Sequence, residues 1–141
     1  YAKRNGVKIA FETLTRKGYD HIVLAKESKA LLDAVNDYEN VKAMIDVDES
    51  ARFNESPSDF FNLFGVENMI HCHFTDGLPG GHLALGDGVL PLEQYLKELD
   101  EAGYEGYISL EVMNERYYFD PEPAIKQSVE YLKKYAKKCK R

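Results

Sequence analysis

Residues 69–74 read MIHCHF, a short apolar run broken at every second position by an imidazole. Side chains alternate across a strand with period two, so His71 and His73 share one face, and His73 stands nearer the carboxyl end. Three further apolar runs close on an acid: VKIAFE (7–12) on Glu12, VKAMID (41–46) on Asp46 and YISLE (107–111) on Glu111. These four polar ends lie about 27 to 38 residues apart, the length of one strand, one crossover helix and its loops, which together take roughly 30 residues or more. In a parallel sheet the strand ends converge on one rim, so four side chains distant in sequence can form one oxygen-and-nitrogen cage. Three carboxylates and one imidazole suit a divalent metal such as manganese, cobalt or magnesium better than a thiolate-dominated zinc site.

Helical patterns fill the gaps. In SKALLDAVNDYE (28–39), Ala30, Leu31, Ala34 and Val35 fall on one face, with Ser28 as N-cap. In SPSDFFNLFG (56–65), Ser56 caps, Pro57 takes the first helical position and Gly65 stops the helix. PLEQYLKELDEAG (91–103) puts Leu92, Tyr95, Leu96 and Leu99 on its apolar face, and the final helix follows Asp120 and Pro121. The alternation of strand and helix, repeated four times, predicts a parallel sheet with right-handed crossovers. Four such βα units are half of an eight-stranded barrel, and a whole one needs about 250 residues. The expected fold over 1–141 is therefore a single α/β domain, half of a (β/α)8 TIM barrel. A half barrel leaves two open strand edges and an unfilled interior. An amino-terminal half, a second copy of the chain or an open-sheet arrangement must resolve that.

The charge balance of 24 acidic against 18 basic residues, net −6, excludes a global basic field for nucleic acid. The lysine cluster KKYAKKCKR (133–141) reads as a solvated last helical turn whose charge suits the helix dipole. Cys72 and Cys139 belong to no CxxC pair, which points to a reducing, cytoplasmic setting rather than a disulfide framework. No stretch approaches the roughly 20 apolar residues of a membrane span, and no signal sequence is visible. The chain opens at Tyr1 without an initiator methionine and reads as a piece of something longer.

The segments AFETL (10–14), HCHFTDG (71–77), HLALGDGVLPL (82–92) and GYEGYISLE (103–111), in that order, carry a likeness. The chain resembles the carboxyl-terminal half of the xylose-isomerase-like sugar isomerases and epimerases, nearest the fructoselysine 3-epimerases and ketose 3-epimerases. That resemblance implies one divalent metal ion, zinc included among the candidates, held by Glu12, Asp46, His73 and Glu111. It implies that Glu12 and Glu111 are the acid/base pair on opposite faces of a sugar or sugar phosphate. One takes the proton beside the carbonyl, giving an enediolate, and the other returns a proton to the opposite face.

Other residues have two readings each. Asp46 can cap the next turn, with Asp48 or Glu49 as ligand in its place. The ketose epimerases carry a substrate-contacting histidine three residues after this Asp, and here that position is Glu49. Asp76 resembles the family's acidic residue after the third strand and reads as orienting His73 or binding a sugar hydroxyl. His82 matches a loop histidine of the fructoselysine epimerase pattern, a substrate contact or a solvated loop residue. His71 reads as a core or supporting group, and the glycines of GDG (86–88) as a turn needing positive φ rather than a phosphate cradle. Arg16 and His21 are further hydroxyl or phosphate contacts, and the aromatic residues 117–119 either wall the pocket or pack the last helix. An endonuclease IV-like nuclease needs ligands this chain lacks, since Gly80 and Glu49 stand where an acid and a histidine belong. A half barrel serving only as an assembly piece is the other alternative.

Overall fold

The computed structural model describes residues 1–14, 22–78 and 81–139. Arg16 and His21 lie outside them. Four strands, β1 (Ile9–Phe11), β2 (Val41–Asp46), β3 (Met69–His73) and β4 (Tyr107–Ser109), form one sheet in sequence order, every pair parallel. The helices α1 (Ala25–Val35), α2 (Val47–Ala51), α3 (Pro57–Phe64), α4 (Leu92–Glu101) and α5 (Glu122–Cys139) alternate with them, as expected for half of a βα barrel.

Strand register sorts the sheet into two faces. Asp46 pairs with His73 and Met44 with His71, while His71 and His73 pair with Tyr107 and Ser109. Ala10 pairs with Lys42 on the same inward face. The opposite face carries Phe11, Val41, Ala43, Ile45 and Cys72 into one apolar cluster with Leu32, Phe60, Phe64, Leu92, Tyr95, Leu96 and Leu99 from the helices. Burial of such side chains stabilises by roughly 1.5–3 kcal/mol each before conformational entropy is subtracted. The inward face is largely polar and open, with Tyr107 80% exposed.

Local chemistry sets the helix ends. Ser56 and Asp59 form a reciprocal capping box ahead of Pro57, and Gly65 ends α3 at φ +75°. Ser28 is not the cap of α1: the helix starts three residues earlier, because the Glu27 carboxylate accepts the N–H groups of Val23 (2.8 Å) and Leu24 (3.0 Å). Glu55 supplies a further acceptor for Ala25 N–H at 3.0 Å. Ser28 is instead buried within the helix. The last helix begins at Glu122, just past Pro121. The stretch after β2 holds the short α2, too brief for periodicity to reveal.

Candidate metal centre

The four strand-end residues meet. Glu12 follows β1, Asp46 ends β2, His73 ends β3 and Glu111 follows β4 by two residues, all on the inward face at the carboxyl rim. One donor atom from each lies within 4.8 Å of every other. His73 Nδ1 is 2.8 Å from Glu12 Oε1, 2.9 Å from Glu111 Oε2 and 3.9 Å from Asp46 Oδ2. Glu12 Oε1, Asp46 Oδ2 and His73 Nδ1 are buried and have no aligned hydrogen-bond partner despite these approaches. Acceptors aimed at one point instead of at donors are what a cation requires, so the donor set fits one divalent ion.

Asp46 divides its carboxylate between two tasks. Oδ1 accepts the N–H groups of Asp48 (2.9 Å) and Glu49 (3.2 Å), capping α2, and this leaves Oδ2 turned to the centre. The two readings of Asp46, cap and ligand, are therefore compatible. Burial pushes its carboxyl up to about 6. His73 is raised above the usual imidazole range by Glu12 beside it, with burial opposing and Glu111 and Asp46 adding to the rise. His71 lies one layer deeper, its Nε2 2.9 Å from Ser109 Oγ, and burial lowers it. Cys72 faces the core, where burial drives its thiol far up and makes it inert as a ligand.

A second group stands alongside. Asp48, Glu49 and His82 also converge, with His82 Nε2 3.7 Å from Glu49 Oε1 and His82 Nδ1 3.7 Å from Glu111 Oε2. Arg52 pairs with both acids, at 3.2 Å from Asp48 Oδ2 and 3.6 Å from Glu49 Oε1. His82 and Glu49 thus border the cation centre.

Asp76 has a different place from the one its sequence position suggests. Its Oδ1 accepts Gly77 and Leu90 N–H, at 2.9 and 3.1 Å, and its Oδ2 accepts Gly86 and Gly88 N–H, at 3.0 and 2.9 Å. The carboxylate is spent inside the β3–α4 loop, so it does not orient His73 or reach for a sugar hydroxyl. Gly86 takes the left-handed turn expected of the GDG stretch, at φ +98°. Gly88 is glycine for another reason: a Cβ there would collide with the Gly77 carbonyl oxygen. The Tyr117 hydroxyl is 2.5 Å from Asp87 Oδ2 and accepts the Ala84 N–H at 3.1 Å, while Tyr118 and Phe119 are exposed.

Sequence reading passed over Asn114, which ties the chain after β4 to Gly81 O at 2.9 Å. It weighed Asp48 only as a ligand in place of Asp46, whereas Asp48 is buried beneath the loop. The sequence signal for its pairing was the i,i+4 spacing from Arg52. A hollow of about 610 Å³ opens at the other end of the strands, between Lys8, Ala10, Met69, His71 and Tyr107. A rim bounded by only four strands is too shallow to enclose a ligand, so depth and chemistry fall at opposite ends.

Fold and rim together define half of a βα barrel whose carboxyl face gathers four side chains that could hold a cation. The chain matches the xylose isomerase-like TIM barrel family over residues 1–135, and it belongs to that family. An uncharacterised protein of Methanocaldococcus jannaschii is 30% identical over 142 residues, covering 95% of this chain and 44% of the relative. Fructoselysine 3-epimerase of Escherichia coli O157:H7 is 26% identical over 133 residues, covering 92% and 47%. The crystal structure of a D-tagatose 3-epimerase-like protein superposes with a TM-score of 0.72 at 29% identity, covering 96% of this chain and 49% of that one. The chain spans about half the length of the curated relatives it matches.

Proposed function

We propose that the protein is a metal-dependent sugar epimerase of the ketose 3-epimerase type, and that this chain supplies its metal-binding, acid/base half. The observation that carries the reading is the convergence of Glu12, Asp46, His73 and Glu111 on one point at the rim. A relative named fructoselysine 3-epimerase and a solved neighbour named a D-tagatose 3-epimerase-like protein support it. A divalent ion held by these four, manganese, cobalt or magnesium by donor hardness with zinc also accommodated, supplies charge stabilisation beside the sugar carbonyl.

The chain's own residues divide the remaining work. Glu12 and Glu111 both approach His73 Nδ1, at 2.8 and 2.9 Å. One carboxylate takes the proton from the carbon beside the carbonyl, and the other carboxyl group gives a proton to the opposite face, so the stereocentre inverts with no net change in protons. Asp46, fixed by two backbone N–H groups through Oδ1, holds its other oxygen in place. Glu49 and His82 stand where hydroxyl groups of the substrate would be read. A pocket able to exclude water needs the other wall of the barrel, supplied by an amino-terminal half or a second copy. The open edges at β1 and β4 and the exposed Tyr107 favour such a partner.

Replacing Glu111 with Gln in the full-length protein tests the chemistry. The variant keeps its fold and most of its metal affinity but stops exchanging the substrate α-proton with solvent deuterium, across a ketose panel that includes D-tagatose and fructoselysine. Undiminished exchange would exclude Glu111 as the obligatory base.

A further inference from the structure

Two residues of the β3–α4 loop adopt the left-handed backbone region without being glycine, Leu78 at φ +51° and His82 at φ +53°. Side chains with a Cβ resist that region, and they persist there only where surrounding contacts hold them. For His82 those contacts are explicit. Its N–H donates to Asp48 Oδ2 at 3.1 Å, and its carbonyl accepts the N–H groups of Met113 (3.1 Å) and Asn114 (3.2 Å). The Asn114 side-chain amide donates to the neighbouring Gly81 carbonyl at 2.9 Å. Gly81 and His82 therefore form a strap, tied on one side to α2 and on the other to the chain after β4. The strap passes beside the cation centre, with the His82 ring 3.7 Å from both Glu49 and Glu111.

Asp48 is the anchor of this strap. It is completely buried, although it follows Asp46 by only two residues, and it is not among the four groups of the cation centre. Gly77 and Gly81 lie against it. Neither has a positive φ, so neither is glycine for the sake of its backbone. A Cβ on Gly77 would collide with Asp48 Oδ1, and one on Gly81 would sit 2.7 Å from both Asp48 Oδ2 and Arg52 Nη2. The loop is bare at these two positions because a buried carboxylate fills the space. Burying an anion is costly without compensating bonds. Here the bonds go through Oδ2 to Arg52 and to the backbone of the one strained residue that faces Glu111, while Oδ1 lies against Gly77 without a hydrogen-bond partner.

We propose that Asp48 is a positioning residue that holds the His82 backbone in its strained form and so fixes the imidazole between Glu49 and Glu111, where it can hydrogen-bond a hydroxyl of the bound sugar. The last clause rests on the epimerase reading; the clamp itself does not.

The test uses the full-length protein and three variants, Asp48→Ala, Asp48→Asn and Gly81→Ala. Amide hydrogen exchange at His82, Mn²⁺ affinity, and KM and kcat on the ketose panel are measured. Asp48→Ala and Gly81→Ala speed exchange at His82 at least about tenfold, while amides of α4 stay protected and the Mn²⁺ dissociation constant moves less than about threefold. KM rises more than kcat falls. Asp48→Asn, whose amide oxygen still accepts the His82 N–H, stays within about threefold of the parent in exchange.

Unchanged exchange in Asp48→Ala would overturn the proposal, as would an Asn variant as fast as the Ala one. A parallel loss of Mn²⁺ affinity would do so too, by placing Asp48 among the ligands. Should Asp48→Ala fail to fold, the contrast between Gly81→Ala and Asp48→Asn decides the question. Exchange that responds as described in a protein inactive on every ketose keeps the clamp and removes the sugar reading.

Discussion

Asp76→Asn is a change of one atom that reaches four bonds. In the native loop both carboxylate oxygens accept two backbone N–H groups each, at 2.9 to 3.1 Å, in a side chain only 1% exposed. An amide offers one oxygen. Whichever way it turns, two backbone N–H groups face an NH₂ and lose their acceptor. A buried donor left unsatisfied costs about 1–3 kcal/mol, and the two retained bonds weaken without charge assistance, so the loss is about 3–5 kcal/mol after allowing for relaxation. With a urea slope of about 1–3 kcal/mol per molar, the unfolding midpoint falls by roughly 2 M. The measurement is urea denaturation followed by circular dichroism, on parent and variant without added metal. A drop of less than about 0.5 M at unchanged slope would refute the view that Asp76 organises the loop. The effect also reaches the rim, because Asp76 and Leu83 exchange backbone hydrogen bonds at 2.9 and 2.8 Å, next to His82.

Metal binding is expected to release protons, because Asp46 at about 6 and the raised His73 must both be deprotonated to act as ligands. Apparent Mn²⁺ affinity therefore climbs with pH through the region around 6 and on above the usual imidazole value of 6.5, and titration calorimetry in buffers of different ionisation enthalpy shows the proton release; affinity flat from pH 5 to 7 would contradict it. The sign for stability is the opposite: without metal, the folded chain holds a proton on Asp46 that the unfolded chain loses near 3.8, so stability falls as pH rises between the two values. In analytical ultracentrifugation the 141-residue chain is expected to associate at micromolar concentration or to pair with an amino-terminal half barrel. A stable monomer with no second polypeptide would favour a self-sufficient open sheet.

The parallel order of the strands and the convergence of the four strand-end side chains were legible because each depends on a local pattern, an apolar run closing on one polar residue. Register then does the rest, since neighbouring strand ends must share a rim. Asp76 and Asp48 were misjudged for the opposite reason. The partners of Asp76 are the backbone N–H groups of Gly77, Gly86, Gly88 and Leu90, and those of Asp48 are the Arg52 side chain and the His82 backbone N–H; the backbone groups are ones that no motif announces. Ser28 failed as a cap because Glu27 beside it reaches back to two N–H groups, a competition decided by side-chain length. The five residues of α2 were hidden because one turn and a half shows no period.

The pairing of Asp46 with His73 has a meaning for folding. Side chains alternate in a strand, so a slip of one residue between β2 and β3 would turn one member of the pair into the apolar layer and leave the other facing alone. The register already shifts once between Ala43 and Met44, where an error of one residue is easiest to make. Only the correct alignment brings two donors side by side. An ion held by both would therefore proofread the sheet, withholding its binding energy from every misaligned chain.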